Sequence, residues 1–412
     1  MDRDARVVKG DEMSAQTARA GRVMPASRTR RRAAFAVPLA VFAAVSLAGS
    51  ALAGWSPTHT LRELPPEHDL QPEDLSANGM EVVAGWREEP VDSNFTELRV
   101  RESRDAGTTF GMSERITADP TRKARDLSLD SGGGSHWAAW TEKRPTAANQ
   151  QRERVFMAGK PYGTGIWDPV PVSRNADIAR FPTIAHTTGR LFVSYQARVS
   201  GAWRVMIQHA RTDEGIFGAM IDMGSAPFGR GAPHLDATDS RVHLAWSDGN
   251  IRLRRATLGG APDYPVAWLP TQDLGAGQWP VVVAGGSGVA VFFYRDGDTY
   301  VRVSQDHGAT FAAARRLLDG DPSVFVYIPT DAAISGARIV LSAEGGGDAF
   351  GQQHRLTSTN GGLSWTAQMV NDAYADERHV AFTVEGSAPT LAEAFFASRF
   401  TELQRVVYHR NV

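Results

Sequence analysis

The stretch Val289-Ala-Val-Phe-Phe-Tyr294 decides the fold, because six others like it recur along the chain. They are Met80-Glu-Val-Val-Ala-Gly-Trp86, Trp137-Ala-Ala-Trp140, Arg190-Leu-Phe-Val-Ser-Tyr195, Val242-His-Leu-Ala-Trp246, Arg338-Ile-Val-Leu-Ser342 and Leu391-Ala-Glu-Ala-Phe-Phe396. Their last residues follow one another at intervals of 54, 55, 51, 48, 48 and 54. A second element precedes each: Arg180-Phe-Pro182, Gly231-Ala-Pro233, Gln278-Trp-Pro280 and Tyr327-Ile-Pro329, with counterparts lacking proline at Arg125-Asp-Leu127, Arg378-His-Val380 and Glu73-Asp-Leu75. A third strand such as Leu98 to Ser103 follows, and a fourth after a tight turn. Four short strands per repeat of about fifty residues is the pattern of a propeller blade. The expected fold is all-β, a seven-bladed β-propeller, with six blades as the runner-up.

Composition agrees. The chain carries 40 Gly and 22 Pro in 412 residues, which supplies many turns and few long helices. Leu391 to Arg399 has the local propensity of a helix, but its register with the other six units makes it a strand. The seventh unit runs out near its third strand at Val412, so its fourth is expected from the other end of the chain, around Thr58 to Leu64. That pairing would close the ring and remove an open edge.

The first 53 residues read differently. Residues 1 to 32 hold nine basic and four acidic side chains, and the next 21, Ala33 to Ala53, hold no charge. A basic stretch, an apolar run and Ala51-Leu52-Ala53 before Gly54 describe a secretory signal peptide with its cleavage site, leaving 54–412 as the propeller. The expected location is periplasmic or secreted. An uncleaved leader would instead anchor the chain in a membrane by its N-terminus.

Without the leader the net charge moves from −2 to −7, which argues against a nucleic-acid partner. Cysteine is absent, excluding disulfides, thiolate zinc sites and cysteine nucleophiles. No two of the eleven histidines lie within five residues of each other. The glycine runs at Gly132 and Gly345 lack the Lys and helix of a phosphate loop. No cofactor or metal is expected.

Three turns share a motif: Ser103-Arg-Asp105-Ala-Gly107-Thr-Thr109-Phe110, Ser304-Gln-Asp306-His-Gly308-Ala-Thr310-Phe311 and Ser358-Thr-Asn360-Gly-Gly362-Leu-Ser364-Trp365. Asp or Asn can cap backbone N–H groups there, Gly takes positive φ, and the aromatic packs between sheets. With this Ser-x-Asp-x-Gly-x-Thr-aromatic pattern the chain resembles the Asp-box (BNR-repeat) propellers, whose best-known members are sialidases. The resemblance implies a rim position for these turns, away from the ligand face. Ser103, Asp105, Gly107, Ser304, Asp306, Gly308, Ser358, Asn360 and Gly362 are therefore expected to be structural.

Function is expected where the first strand of each repeat opens at the channel mouth. Register aligns Glu73, Arg125, Arg180, Gly231, Gln278, Tyr327 and Arg378 there, followed by Asp74, Asp126, Phe181, Trp279 and His379, with Arg230 just before Gly231. Clustered Arg125, Arg180, Arg230 and Arg378, with Gln278 and Trp279, would bind an anion or an acidic glycan, since the guanidinium fork pairs a carboxylate bidentately. Arg180-Phe181-Pro182 is also similar to the Arg-Ile-Pro motif of sialidases. That resemblance would make Arg180, with Arg125 and Arg378, a carboxylate clamp, Tyr327 with Glu73 or Glu344 a nucleophile pair, and Asp126 the acid/base. The chain departs from that family in its blade count and in placing Arg378 after Tyr327. Three readings follow: a non-catalytic propeller binding an anionic or carbohydrate ligand or a protein partner at the mouth, an exo-α-sialidase-like glycoside hydrolase, or an assembly scaffold.

Overall fold

The computed structural model describes residues 59–411, apart from 66–67, 91–94, 118, 120, 145–151, 175, 177, 214–215, 260–265, 319–324, 348–352, 370–380, 386–391 and 401–403. The leader and Arg378 lie outside the described residues. Among those described, the chain forms 29 strands and no helix.

Each repeat begins with an inner strand: His68–Asn78, Lys123–Gly132, Ile178–Thr187, His234–Thr238, Gln278–Gly285, Phe325–Ser335 and Ala381–Glu385. Three antiparallel partners follow each of the first six in chain order, with an extra short strand in the fourth repeat. Two neighbouring sets, Lys123–Pro171 and Ile178–Ser225, merge into one eight-stranded sheet through a single parallel bridge between Ile178 and Glu153. The inner strands touch one another in sequence, and the last, Ala381–Glu385, touches the first, so the series is cyclic. The segment Ala392–Phe400 is a strand, as register required against local propensity.

The last set takes its outermost strand from the far end of the chain: His59–Leu64 pairs antiparallel with Gln404–Asn411. Leu61 of that strand is buried together with Leu75 and Trp86 of the first set, so the junction carries an apolar core of its own.

The second strand of each set is covered on both faces by neighbouring sheets and therefore reads as a continuous apolar run. Val82 to Trp86 are all buried, whereas the third strand Glu97–Ser103 alternates. Trp86 and Trp140, both fully buried, donate their indole N–H groups to Glu88 (2.9 Å) and Glu142 (3.0 Å) two residues on, so neither is left unpaired.

The three Ser-x-Asp/Asn turns repeat one hydrogen-bond scheme. Ser304 Oγ donates to Asp306 Oδ1 (2.7 Å) and accepts from the amide of Gly308 (2.8 Å), while Asp306 accepts from the amide of Thr310 (2.9 Å). Ser103–Thr109 and Ser358–Ser364 match it bond for bond. The hydroxyl and amide of Thr109, then the Ser103 hydroxyl, hold the Asp105 carboxyl down to about 2. Because Gly308 is buried, Ser304→Ala strands its N–H. The expected loss is about 1–3 kcal/mol of unfolding free energy, read from the denaturant midpoint; an unchanged midpoint would deny the turn its structural role.

Candidate functional site

Among the described residues the neighbouring inner strands share no backbone ladder with one another, so their side chains supply the acceptors. Leu127 N donates to Glu73 Oε2 (3.2 Å), Leu129 N to Asp74 Oδ2 (2.5 Å), Ile184 N to Ser128 Oγ (3.2 Å) and Val282 N to His234 Nδ1 (3.3 Å). Deeper in the channel Asp130 accepts from His186 N, and Asp236 from Ala284 N at 2.6 Å. Every bond spans one repeat, which satisfies donors that burial would otherwise penalise.

Above this layer each of five inner strands carries a bulge at the same point: Pro72/Asp74, Arg125/Ser128, Arg180/Thr183, Gln278/Val281 and Pro329/Asp331. In three of them a non-glycine residue takes the left-handed conformation, with φ of 55° at Asp126, 53° at Phe181 and 48° at Trp279. Each such residue costs about 1–3 kcal/mol, and strain of this kind gathers at ligand sites. All three line one cavity of about 490 Å³, together with Glu73, Asp74, Asp331, Glu344 and His234.

The lining is thus rich in carboxyl groups. Burial pushes Glu73 up to about 7, against the opposing pull of Arg87 3.5 Å away, and Asp126 adds to the rise. Burial, then Asp331, raises Asp74 well above its ordinary range. Asp236, lower in the channel, is pushed up to about 7 by burial, with a smaller push from Asp331. His234 is held down to about 4 by burial, and its Nδ1 is an acceptor for Val282 N, which puts the ring proton on Nε2.

The arginines are engaged by neighbouring side chains, Arg125 Nε also lying 3.8 Å from Asp126 Oδ2 of the cavity. Arg125 Nη2 and Arg180 Nη2 both bond Glu153 Oε1, at 2.7 and 2.6 Å, Arg180 Nε bonds Glu153 Oε2, and Glu153 is fully buried. Arg230 lies over the Trp279 ring at 5.8 Å. Tyr327 packs edge-on against His354 at 5.0 Å within its own set, and its backbone bonds Gly297 and Thr299.

Of the residues singled out from sequence, Glu73, Asp74, Asp126, Phe181, Trp279 and Glu344 therefore share the cavity, while Arg125, Arg180, Arg230, Gln278 and Tyr327 are not part of its lining. The bulge explains the difference: its extra residue turns Asp126, Phe181 and Trp279 inward, where the register alone would aim the preceding position. Asp331 and His234, one or two places after their prolines, were missed for the same reason.

No family model matches the sequence, and no curated protein matches it. Solved structures share the fold. The ectodomain of the parainfluenza virus 5 hemagglutinin-neuraminidase superposes with a TM-score of 0.53 at 9% identity, covering 87% of this chain and 83% of that one. The Trypanosoma rangeli sialidase in complex with sialic acid gives 0.44 at 12% identity, over 87% and 59%. The same enzyme with the inhibitor DANA gives 0.43 at 11% identity, over 86% and 58%. The chain thus spans just under three fifths of those two sialidase chains. At such identities the likeness is one of fold, and that fold is the β-propeller.

Proposed function

We propose that this chain is an exported, seven-bladed Asp-box propeller that binds a carbohydrate at the mouth of its channel without transforming it. The observation that carries the reading is the set of three strained, non-glycine bulge residues, Asp126, Phe181 and Trp279, aimed into one cavity among carboxyl groups. Carboxyls accept hydrogen bonds from sugar hydroxyls or an amino group, and Trp279 offers a flat apolar face to a ring. Such a lining favours a neutral or amino sugar over the acidic glycan expected from sequence, since Arg125 and Arg180 are both engaged by Glu153 and Arg125 also lies 3.8 Å from Asp126. The seven blades are the seven strand sets with their cyclic inner contacts, and export rests on the leader.

One observation favours a second reading, hydrolysis. Glu73, titrating at about 7, would be protonated often enough at neutral pH to serve as a general acid beside Asp126. The sialidase version of that chemistry is less well supported, because Tyr327 packs against His354 outside the cavity. Binding to an array of neutral, amino and acidic glycans tests the proposal. Trp279→Ala is expected to weaken the bound class at least about tenfold, or about 1.4 kcal/mol. Turnover of a bound glycan that disappears in Glu73→Gln would transfer the assignment to the second reading, and wild-type preference for acidic glycans would overturn the neutral or amino specificity.

A further inference from the structure

Beside the mouth stands an aromatic residue whose exposure packing does not explain. Phe228 remains 43% exposed, yet the loop that carries it is fixed. The side-chain amide of Gln196, itself fully buried, donates to Pro227 O (2.9 Å) and accepts from Gly229 N (3.0 Å), gripping the backbone on either side of Phe228. Backbone bonds from Arg230 N to Phe228 O (2.9 Å) and from Gly231 N to Pro227 O (3.1 Å) tighten the turn. A Cβ on Gly231 would stand 2.3 Å from Ser247 O, so the close approach needs glycine there.

The presented ring belongs to a continuous surface. Phe228 meets Trp203 at 4.5 Å and Phe181 at 5.5 Å between centroids, and Arg180 lies 5.1 Å from its ring centre. Phe181 is the link, because it also lines the mouth. A buried polar side chain spent on holding an exposed apolar ring is the arrangement of a binding platform, where rigidity lowers the entropy lost on association.

We propose that Phe228, with Phe181 and Trp203, forms a second ring-stacking subsite, so that the ligand is an oligosaccharide whose first sugar occupies the mouth and whose next lies on this shelf. The inference rests on the carbohydrate reading above and extends it to ligand length. Calorimetric titration of the full chain with glucose and glucosamine, and with their β-linked oligomers of two to four units, tests it. Affinity is expected to rise about tenfold from one unit to two or three. Phe228→Ala, and Phe228→Leu, which keeps apolar volume without a flat ring, are expected to remove that increment while leaving single-sugar affinity within about twofold. Trp279→Ala should weaken every member of the series alike. Single sugars binding as tightly as oligomers, or Phe228 variants lowering both equally, would overturn the shelf and leave the mouth assignment standing. Binding by no member of either series would take down both together.

Discussion

Glu153→Ala is expected to lower the unfolding free energy by about 3–5 kcal/mol, the range for breaking a buried ion pair from one side. Glu153 is fully buried and receives guanidinium groups from two neighbouring inner strands, Arg125 at 2.7 Å and Arg180 at 2.6 Å. It also sits at the single parallel bridge, to Ile178, that joins the two sets. Truncation leaves two cations facing each other in a partly buried site with only Asp126, 3.8 Å from Arg125, as a counter-ion among the described residues. Glu153→Gln keeps the shape and loses the charge, so it should fall between alanine and wild type. The measurement is the denaturant midpoint at constant slope. A loss below about 1 kcal/mol for the alanine variant would mean that the arginines simply turn to water and that Glu153 does not hold the junction.

The second large effect is on pH. Glu73 and Asp236 titrate at about 7 in the folded chain, against ordinary values of 4.5 and 3.8. Between those values and 7 the folded state holds protons on these groups that the unfolded chain has released, so their contribution to stability falls as pH rises through this window and levels off above it. Each group contributes at most on the order of 3–5 kcal/mol to the fall, and Asp74, raised in the same direction, adds to it. Carboxylates held low, such as Asp105 at about 2, act only in acid. The buried histidines His136, His234 and His243, held at about 4 against 6.5, instead add stability as pH rises to about 6.5, so the carboxyl contribution is read by comparing a variant with wild type. The stability advantage of Glu73→Gln over wild type, read from urea midpoints, is therefore expected to be larger at pH 7.5 than at pH 5. Glu73→Gln, which mimics the protonated acid, should stabilise the chain above pH 7 and flatten part of the slope. A Glu73→Gln advantage that does not grow between pH 5 and 7.5 would mean that Glu73 is solvated and the mouth is not the enclosed site described.

How much of this was legible beforehand differs by level. The strand repeat ending at residues such as Trp86, Trp140 and Tyr195 exposed the fold, because a second strand covered on both faces must be apolar along its length and must recur wherever the unit recurs. The turns at Ser103, Ser304 and Ser358 were legible too, since their bonds close within about six residues. Even the pairing of His59–Leu64 with the chain's other end followed from a missing strand in the last unit.

The site was legible only as a neighbourhood. Register led to the right stretch of each inner strand, but a one-residue bulge decides which side chain enters the cavity, and nothing in Arg125-Asp126 or Arg180-Phe181 announces it. Glu153 lies 28 and 27 residues from the two arginines it binds, and the turn carrying Phe228 is held by Gln196 of the strand Arg190–Val199. Local periodicity and turn chemistry are written residue by residue, so the sequence by itself determined the repeat, its strands and its closure. Which charges meet each other rather than a ligand depends on contacts between strands that only the assembled ring brings together, and the tertiary structure alone decided that the mouth is acidic and aromatic instead of basic.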